Sequence, residues 1–257
     1  MLNHLIERAA PEHGGDQAPW IIFSNSLMTD LSLWDEQVAV LRGRFNILRY
    51  DQRGHGASPV PGEAQTIPVL ADDVIALLDR CKVATCTYVG LSMGVPTGLA
   101  AYRKAPARFE RLILVDGQAN STAASKAAWD ERITFARANG MMAMADQTVR
   151  RWLRPERVEQ PLSERLHAMI AATPLEGFAA CASALQNYDE VAVLAQIKVP
   201  TLLIVGREDG AMPATMHAMA AAIPGAKIQE IADAGHLPNY ERPAAFNEIL
   251  TSFLEVR

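Results

Sequence analysis

Six short apolar runs alternate along this chain with longer stretches of helical spacing, and that rhythm restricts the fold more than any other feature. The runs cover residues 20–23, 45–50, 86–89, 111–115, 201–205 and 226–231; they are rich in β-branched or aromatic side chains and end in turn residues, so each reads as a strand. Between them, residues 67–81 carry Leu70, Val74, Leu77 and Leu78 at helical spacing, and 95–104, 214–222 and 244–254 repeat the pattern. Strands joined through helices pair in parallel, because each crossover must travel back along the sheet, and the helices then cover both faces. The expected class is α/β with a mostly parallel central sheet, and 257 residues suffice for one such core.

The rhythm stops between Gln118 and Ile197. That stretch has no strand-like run but shows helical patterns around 127–139, 141–153, 163–170 and 177–187. We therefore expect a core domain from residues 1–117 and 197–257, with 118–196 inserted as a helical cap. Ala123, Ala124 and Ala127 suit a helix start near the cap's beginning.

Charge and cysteine content narrow the partners. A net charge of −5 offers no basic footprint for nucleic acid or an anionic membrane, so a small molecule is the expected partner. The amino-terminal segment mixes His4, Glu7, Arg8, Glu12 and His13 with short apolar stretches, unlike a signal peptide. No window approaches the roughly 18 apolar residues of a membrane span. Cys81, Cys86 and Cys181 are odd in number and lack metal-ligand spacing, which suggests free thiols in the cytoplasm. No motif implies a metal or an organic cofactor, and nothing in the sequence fixes an oligomeric state.

The sharpest local signal is Gly90-Leu91-Ser92-Met93-Gly94, set between a strand and a helical stretch. A tight strand-to-helix turn would expose the Ser92 hydroxyl at the carboxyl end of the sheet and at a helix N-terminus, where free N–H groups favour a developing oxyanion. A serine needs a base, and the base needs an orienting group. Asp209, in Gly206-Arg207-Glu208-Asp209-Gly210, and His236, in Gly235-His236-Leu237-Pro238, each follow a later strand, and Ser, Asp, His is the order such a triad takes on an α/β sheet of this kind. Rivals are Glu208 and Asp116 as the acid and His55 as the base; Asp116 otherwise reads as a cap on the entry to the insertion, and His55 as structural. His4, His13, His167 and His217 lie in terminal, cap or surface settings. For the oxyanion, the expected donors are the backbone N–H groups of Met93 and of Ser26, in the loop after the first apolar run.

At this point the chain resembles the 3-oxoadipate enol-lactonases, α/β-hydrolases that open an enol-lactone in aromatic catabolism. The resemblance rests on Phe23-Ser24-Asn25-Ser26-Leu27-Met28-Thr29-Asp30-Leu31-Ser32-Leu33-Trp34, on Leu48-Arg49-Tyr50-Asp51-Gln52-Arg53-Gly54-His55-Gly56 and on the Ser92 pentapeptide. It implies the α/β-hydrolase fold, with a reduced first strand because the amino terminus is short for the family's opening hairpin. Met28 replaces a usual glycine, which would narrow the pocket or alter the oxyanion loop. Gly94 is followed by Val95-Pro96, and Pro96 is tolerable in a helix's first turn.

The resemblance implies a serine hydrolase, a lactonase or esterase, in which Ser92 attacks a lactone carbonyl, an acyl-enzyme forms and water releases a 3-oxo dicarboxylic acid. Such a substrate carries a free carboxylate, so a cap cation is expected: Arg132, Arg137, Arg150, Arg151 or Arg154. Asn25, Met28, Trp129, Arg132 and Trp152 are the candidate substrate contacts. Other ester or lactone hydrolysis, cleavage of a carbon–carbon bond in a ring-cleavage product, perhydrolysis, and a non-catalytic ligand receptor on the same fold stand as alternatives.

Overall fold

The computed structural model describes residues 1–255. All six expected strands are present: β2 (Trp20–Ser24), β3 (Asn46–Tyr50), β4 (Cys86–Leu91), β5 (Phe109–Val115), β6 (Thr201–Gly206) and β7 (Lys227–Ile231). A seventh, β1 (His4–Glu7), lies antiparallel on the edge beside β3. The sheet order is β1-β3-β2-β4-β5-β6-β7, and every pair beyond the first is parallel. Every residue of central β4 is buried, as expected of a strand covered on both faces. Edge strand β1, by contrast, leaves Leu5 and Ile6 exposed.

The sheet is flanked by α1 (Asp35–Leu41), α2 (Ile67–Arg80), α3 (Gly94–Lys104), α8 (Met212–Ala222) and α10 (Pro243–Glu255). Helix α2 shows how sequence sets structure here: the Thr66 hydroxyl accepts the Val69 N–H at the start, Pro68 sits in the first turn, and Leu70, Val74, Leu77 and Leu78 face the core. Pro96 lies in the first turn of α3, where a missing N–H breaks no helical bond.

Residues 118–196 carry α4 (Ala123–Trp152), α5 (Pro161–Ala172), α6 (Leu175–Ala184) and the single turn α7 (Val191–Leu194). A second single turn, α9 (Pro238–Glu241), precedes α10. Helix α4 begins with a reciprocal capping box between Thr122 and Ser125 and bends at Gly140, whose φ of 81° breaks the helical run. The two patterns anticipated on either side of that point are thus two arms of one bent helix. Met144, Ala145 and Val149 of α4 share a buried core with Leu166, Ile170 and Phe178 of α5 and α6. Among the described residues, no helix is long and apolar enough to cross a membrane.

Candidate active site

Ser92 sits between β4 and α3 with φ at 54°, a left-handed conformation that a β-carbon disfavours. Its N–H is tied to the Val115 carbonyl at 2.8 Å. The turn closes because its flanks are glycine: a β-carbon on Gly94 would approach the Ser24 carbonyl oxygen to 2.6 Å, and one on Gly90 would strike the Gly94 carbonyl. With the backbone so constrained, the Ser92 hydroxyl projects over the sheet's carboxyl edge.

The loops after β6 and β7 bring the other two groups to it. Glu208 N–H bonds the Ala234 carbonyl at 2.9 Å and so couples the loops. His236 Nε2 lies 3.0 Å from Ser92 Oγ, and His236 Nδ1 lies 2.7 Å from Asp209 Oδ2. Burial works to raise the Asp209 carboxyl, but the facing His236, the Asp116 side chain and Arg151 outweigh it and hold Asp209 below the ordinary carboxylate range. Glu208 is exposed and His55 lies apart from this chain, fully buried, with Nδ1 2.8 Å from the Arg53 carbonyl. Burial lowers the His55 pKa.

The cap fixes the histidine from above. The Trp152 carbonyl at the end of α4 accepts the His236 N–H at 2.8 Å, and the two rings lie 5.3 Å apart between centroids. Glu241 was not anticipated: its buried carboxylate accepts the Gly235 N–H at 2.7 Å and the Arg154 N–H at 3.0 Å, clipping the histidine loop to the cap. Burial raises its pKa, against the pull of those two N–H groups.

Asp116 departs from its expected capping role. It is fully buried at the end of β5, and both of its oxygens accept the Gly206 N–H of β6, at 3.2 and 3.1 Å. Instead of opening the insertion, it faces the acid loop. Among the described residues, Asp116, Asp209 and His236 form a group close enough to hold a metal ion, with ligand atoms within 4.8 Å of one another. The hydrogen bonds above already engage those atoms with one another and with the Gly206 amide.

A cavity of about 240 Å³ opens above Ser92. Its walls include Leu27, Met93, Trp129, Arg132, Arg151 and Trp152, together with Gln118 and Tyr188. Two expected contacts are absent. Asn25 is consumed inside the protein, donating to the Tyr50 carbonyl at 2.9 Å and accepting Trp34 Nε1 at 2.8 Å. Met28 is buried in the core and does not narrow the cavity; at φ 63° it occupies the turn in which Thr29 N–H and hydroxyl return to the Ser26 carbonyl. A left-handed residue at that place suits glycine, so methionine there is a strained backbone with a buried anchor. Ser26 does not border the cavity either; Leu27, one residue on, does. Among the described residues, neither the Leu27 nor the Met93 N–H bonds a protein acceptor.

Of the five arginines, Arg132 and Arg151 reach the cavity and Arg137, Arg150 and Arg154 do not. Arg154 instead pairs with Asp233 at 2.6 Å. Arg132 stacks over Trp129 at 4.5 Å, an i, i+3 pair on α4. Among the described residues, neither Arg132 nor Arg151 makes a salt bridge. Loss of hydration lowers both guanidiniums from the usual arginine range, with mutual repulsion adding at Arg151, which still keeps solvent access.

Comparison with known proteins gives the chain's family and fold. Residues 13–249 match the sequence profile described as the alpha/beta hydrolase family. The chain is 34% identical to 3-oxoadipate enol-lactonase 2 of Acinetobacter baylyi, over 94% of this chain and 91% of that one. An enol-lactonase structure from Burkholderia xenovorans LB400 superposes with a TM-score of 0.92 at 38% identity, covering 99% of this chain and 96% of that one. A malate-bound thermophilic esterase from Thermogutta terrifontis gives 0.89 at 27% identity, covering 98% and 93%.

Proposed function

The chain belongs to the alpha/beta hydrolase family, and from that premise we propose that it hydrolyses an enol-lactone of the 3-oxoadipate type through Ser92, His236 and Asp209. The observation that carries this reading is the continuous hydrogen-bond chain from Ser92 Oγ through the imidazole to Asp209, at 3.0 and 2.7 Å, beneath a cavity with two guanidiniums free of carboxylate partners.

His236 Nε2 takes the Ser92 proton as Oγ attacks the lactone carbonyl, while Asp209 holds Nδ1–H and stabilises the imidazolium. The N–H groups of Leu27 and Met93 receive the oxyanion, the former in place of Ser26, because these two border the cavity. Collapse of the tetrahedral intermediate breaks the ring C–O bond and leaves an acyl-enzyme. The departing enolate remains tethered, takes a proton and becomes a ketone. Water deprotonated by His236 then releases the acid and restores Ser92.

Arg132 and Arg151 give the site its preference for a substrate with a free carboxylate, since a guanidinium at the cavity wall with no carboxylate partner binds such a group through charge-assisted hydrogen bonds. The kinship to enol-lactonases supports the ring; the malate-bound relative supports an anionic acid portion. The test is the ultraviolet absorbance decay of freshly generated 3-oxoadipate enol-lactone. Rapid loss with wild type that disappears in Ser92→Ala is expected, whereas a folded wild type that does not accelerate decay ends the lactonase assignment.

A further inference from the structure

Ser92, His236 and Asp209 leave one buried carboxyl without a task. Asp116 is fully buried, holds a left-handed φ of 39°, and has a carboxyl oxygen within 4.8 Å of a carboxylate oxygen of Asp209 and of a ring nitrogen of His236. Left-handed backbone at a non-glycine residue persists where surrounding structure imposes it. Here β5 ends against β6, and the Asp116 N–H is fixed to the Ile204 carbonyl at 3.0 Å.

The groups around Asp116 come from every neighbouring element. Asp209 faces it from the loop after β6, His236 from the loop after β7, and Glu241 from α9; the charge of Arg151 on α4 acts on Asp209. Its hydrogen-bond donor from the backbone is the single Gly206 N–H, and it makes no salt bridge among the described residues. Asp209 has what an ionised carboxylate requires: an imidazole at 2.7 Å and a nearby guanidinium. Two adjacent carboxyls with such unequal surroundings do not both ionise, and the one with fewer donors keeps the proton. Burial, then the Asp209 charge, push Asp116 well above the ordinary carboxylate range.

We propose that Asp116 is a neutral positioning acid, which donates its carboxyl proton in a hydrogen bond to Asp209 and so keeps the triad carboxylate ionised and aimed at His236. The proton stays on Asp116 throughout turnover, so no bond is made or broken there. This rests on the triad reading above.

The experiment compares wild type, Asp116→Asn and Asp116→Leu, each checked for a cooperative thermal melt, in kcat, KM and the pH profile of kcat/KM. Leucine supplies no donor: kcat is expected to fall about 10- to 100-fold with KM little altered, in line with loss of one hydrogen bond to a charged group. Asparagine supplies a neutral N–H and should recover most of that loss, leaving the acid limb of the profile at the wild-type position. A downward move of that limb by about one pH unit in Asp116→Asn would mean that a negative charge had been removed, and the proposal falls. Equal rates for Asp116→Leu and wild type also overturn it. Should the leucine variant not fold, the infrared difference between wild type and Asp116→Asn at neutral pH decides: a protonated carboxyl stretch present only in wild type supports the neutral acid, and its absence refutes it. Fluorophosphonate labelling of Ser92 in wild type separates the two levels: labelling with a displaced acid limb removes Asp116 alone, while no labelling removes the triad reading and this proposal with it.

Discussion

On the sheet side of the cavity the reactive groups are fixed through their own backbones, whereas on the cap side they reach in on long side chains. Ser92 is fastened to Val115 and squeezed by Gly90 and Gly94, and His236 and Asp209 ride on loops that bond one another. Arg132 and Arg151, by contrast, extend from a helix that bends at Gly140, with one aromatic stack and one 3.4 Å contact to Thr148 between them. The difference fits the two tasks proposed above: a rigid floor suits a reaction whose geometry tolerates little displacement, and long side chains on the roof suit selection among substrates.

The largest effects should come from the floor. Ser92→Ala or His236→Ala is expected to lower kcat by roughly 10⁴- to 10⁶-fold with KM nearly constant, as triad losses do elsewhere; a change confined to KM would contradict the division. Next comes the roof. Replacing Arg132 or Arg151 with methionine should raise KM for the anionic lactone about 10- to 100-fold, the worth of a charge-assisted hydrogen bond, with much less effect on kcat. A neutral ester such as p-nitrophenyl acetate is the control, and equal losses on both substrates would show that the arginines hold structure. The clip between the halves is third: Glu241→Gln can accept only one of the two N–H groups well, so kcat should drop by about three- to tenfold with a lowered melting temperature.

The smallest effect is one of stability. A carboxyl whose folded pKa is raised contributes stability below its unfolded pKa and loses it as pH rises through the folded value. Asp116 is such a group. Asp116→Asn should therefore melt higher than wild type by about a few degrees at pH 8, with the gap closing as pH falls towards about 4. A gap that is constant across pH would show that Asp116 does not change its proton affinity on folding.

The floor was legible in the sequence because its signals are local. A glycine-flanked serine, and an acid and a histidine each just past an apolar run, sit where the chain's own turns put them. Edge strand β1 has no apolar signature, because His-Leu-Ile-Glu is short and half-exposed with no buried face to leave a pattern; only the family resemblance points to a reduced first strand. Asn25 and Met28 differ from expectation for another reason: loop position does not reveal which way a side chain points, and both are buried. The oxyanion donor carries the same one-residue ambiguity: Ser26 is the residue expected from the loop's position, and Leu27 is the one that lines the cavity. Asp116 and Glu241 act across 90 and six positions respectively, on backbone groups that no spacing rule identifies. Arg132 and Arg151 were among five comparable candidates, and only the packing of α4 over the sheet separates them from Arg137, Arg150 and Arg154.

The carbonyl of Trp152 that receives the His236 amide also bears on how such a chain can diversify. Because the insertion supplies that bond from the last residue of its long helix, it is not an interchangeable module. A recombinant roof of another length would have to deliver a carbonyl to the same spot, or leave the base unanchored. New specificities are therefore reached most readily by exchanging side chains along α4, with the backbone of the helix's final turn left in place.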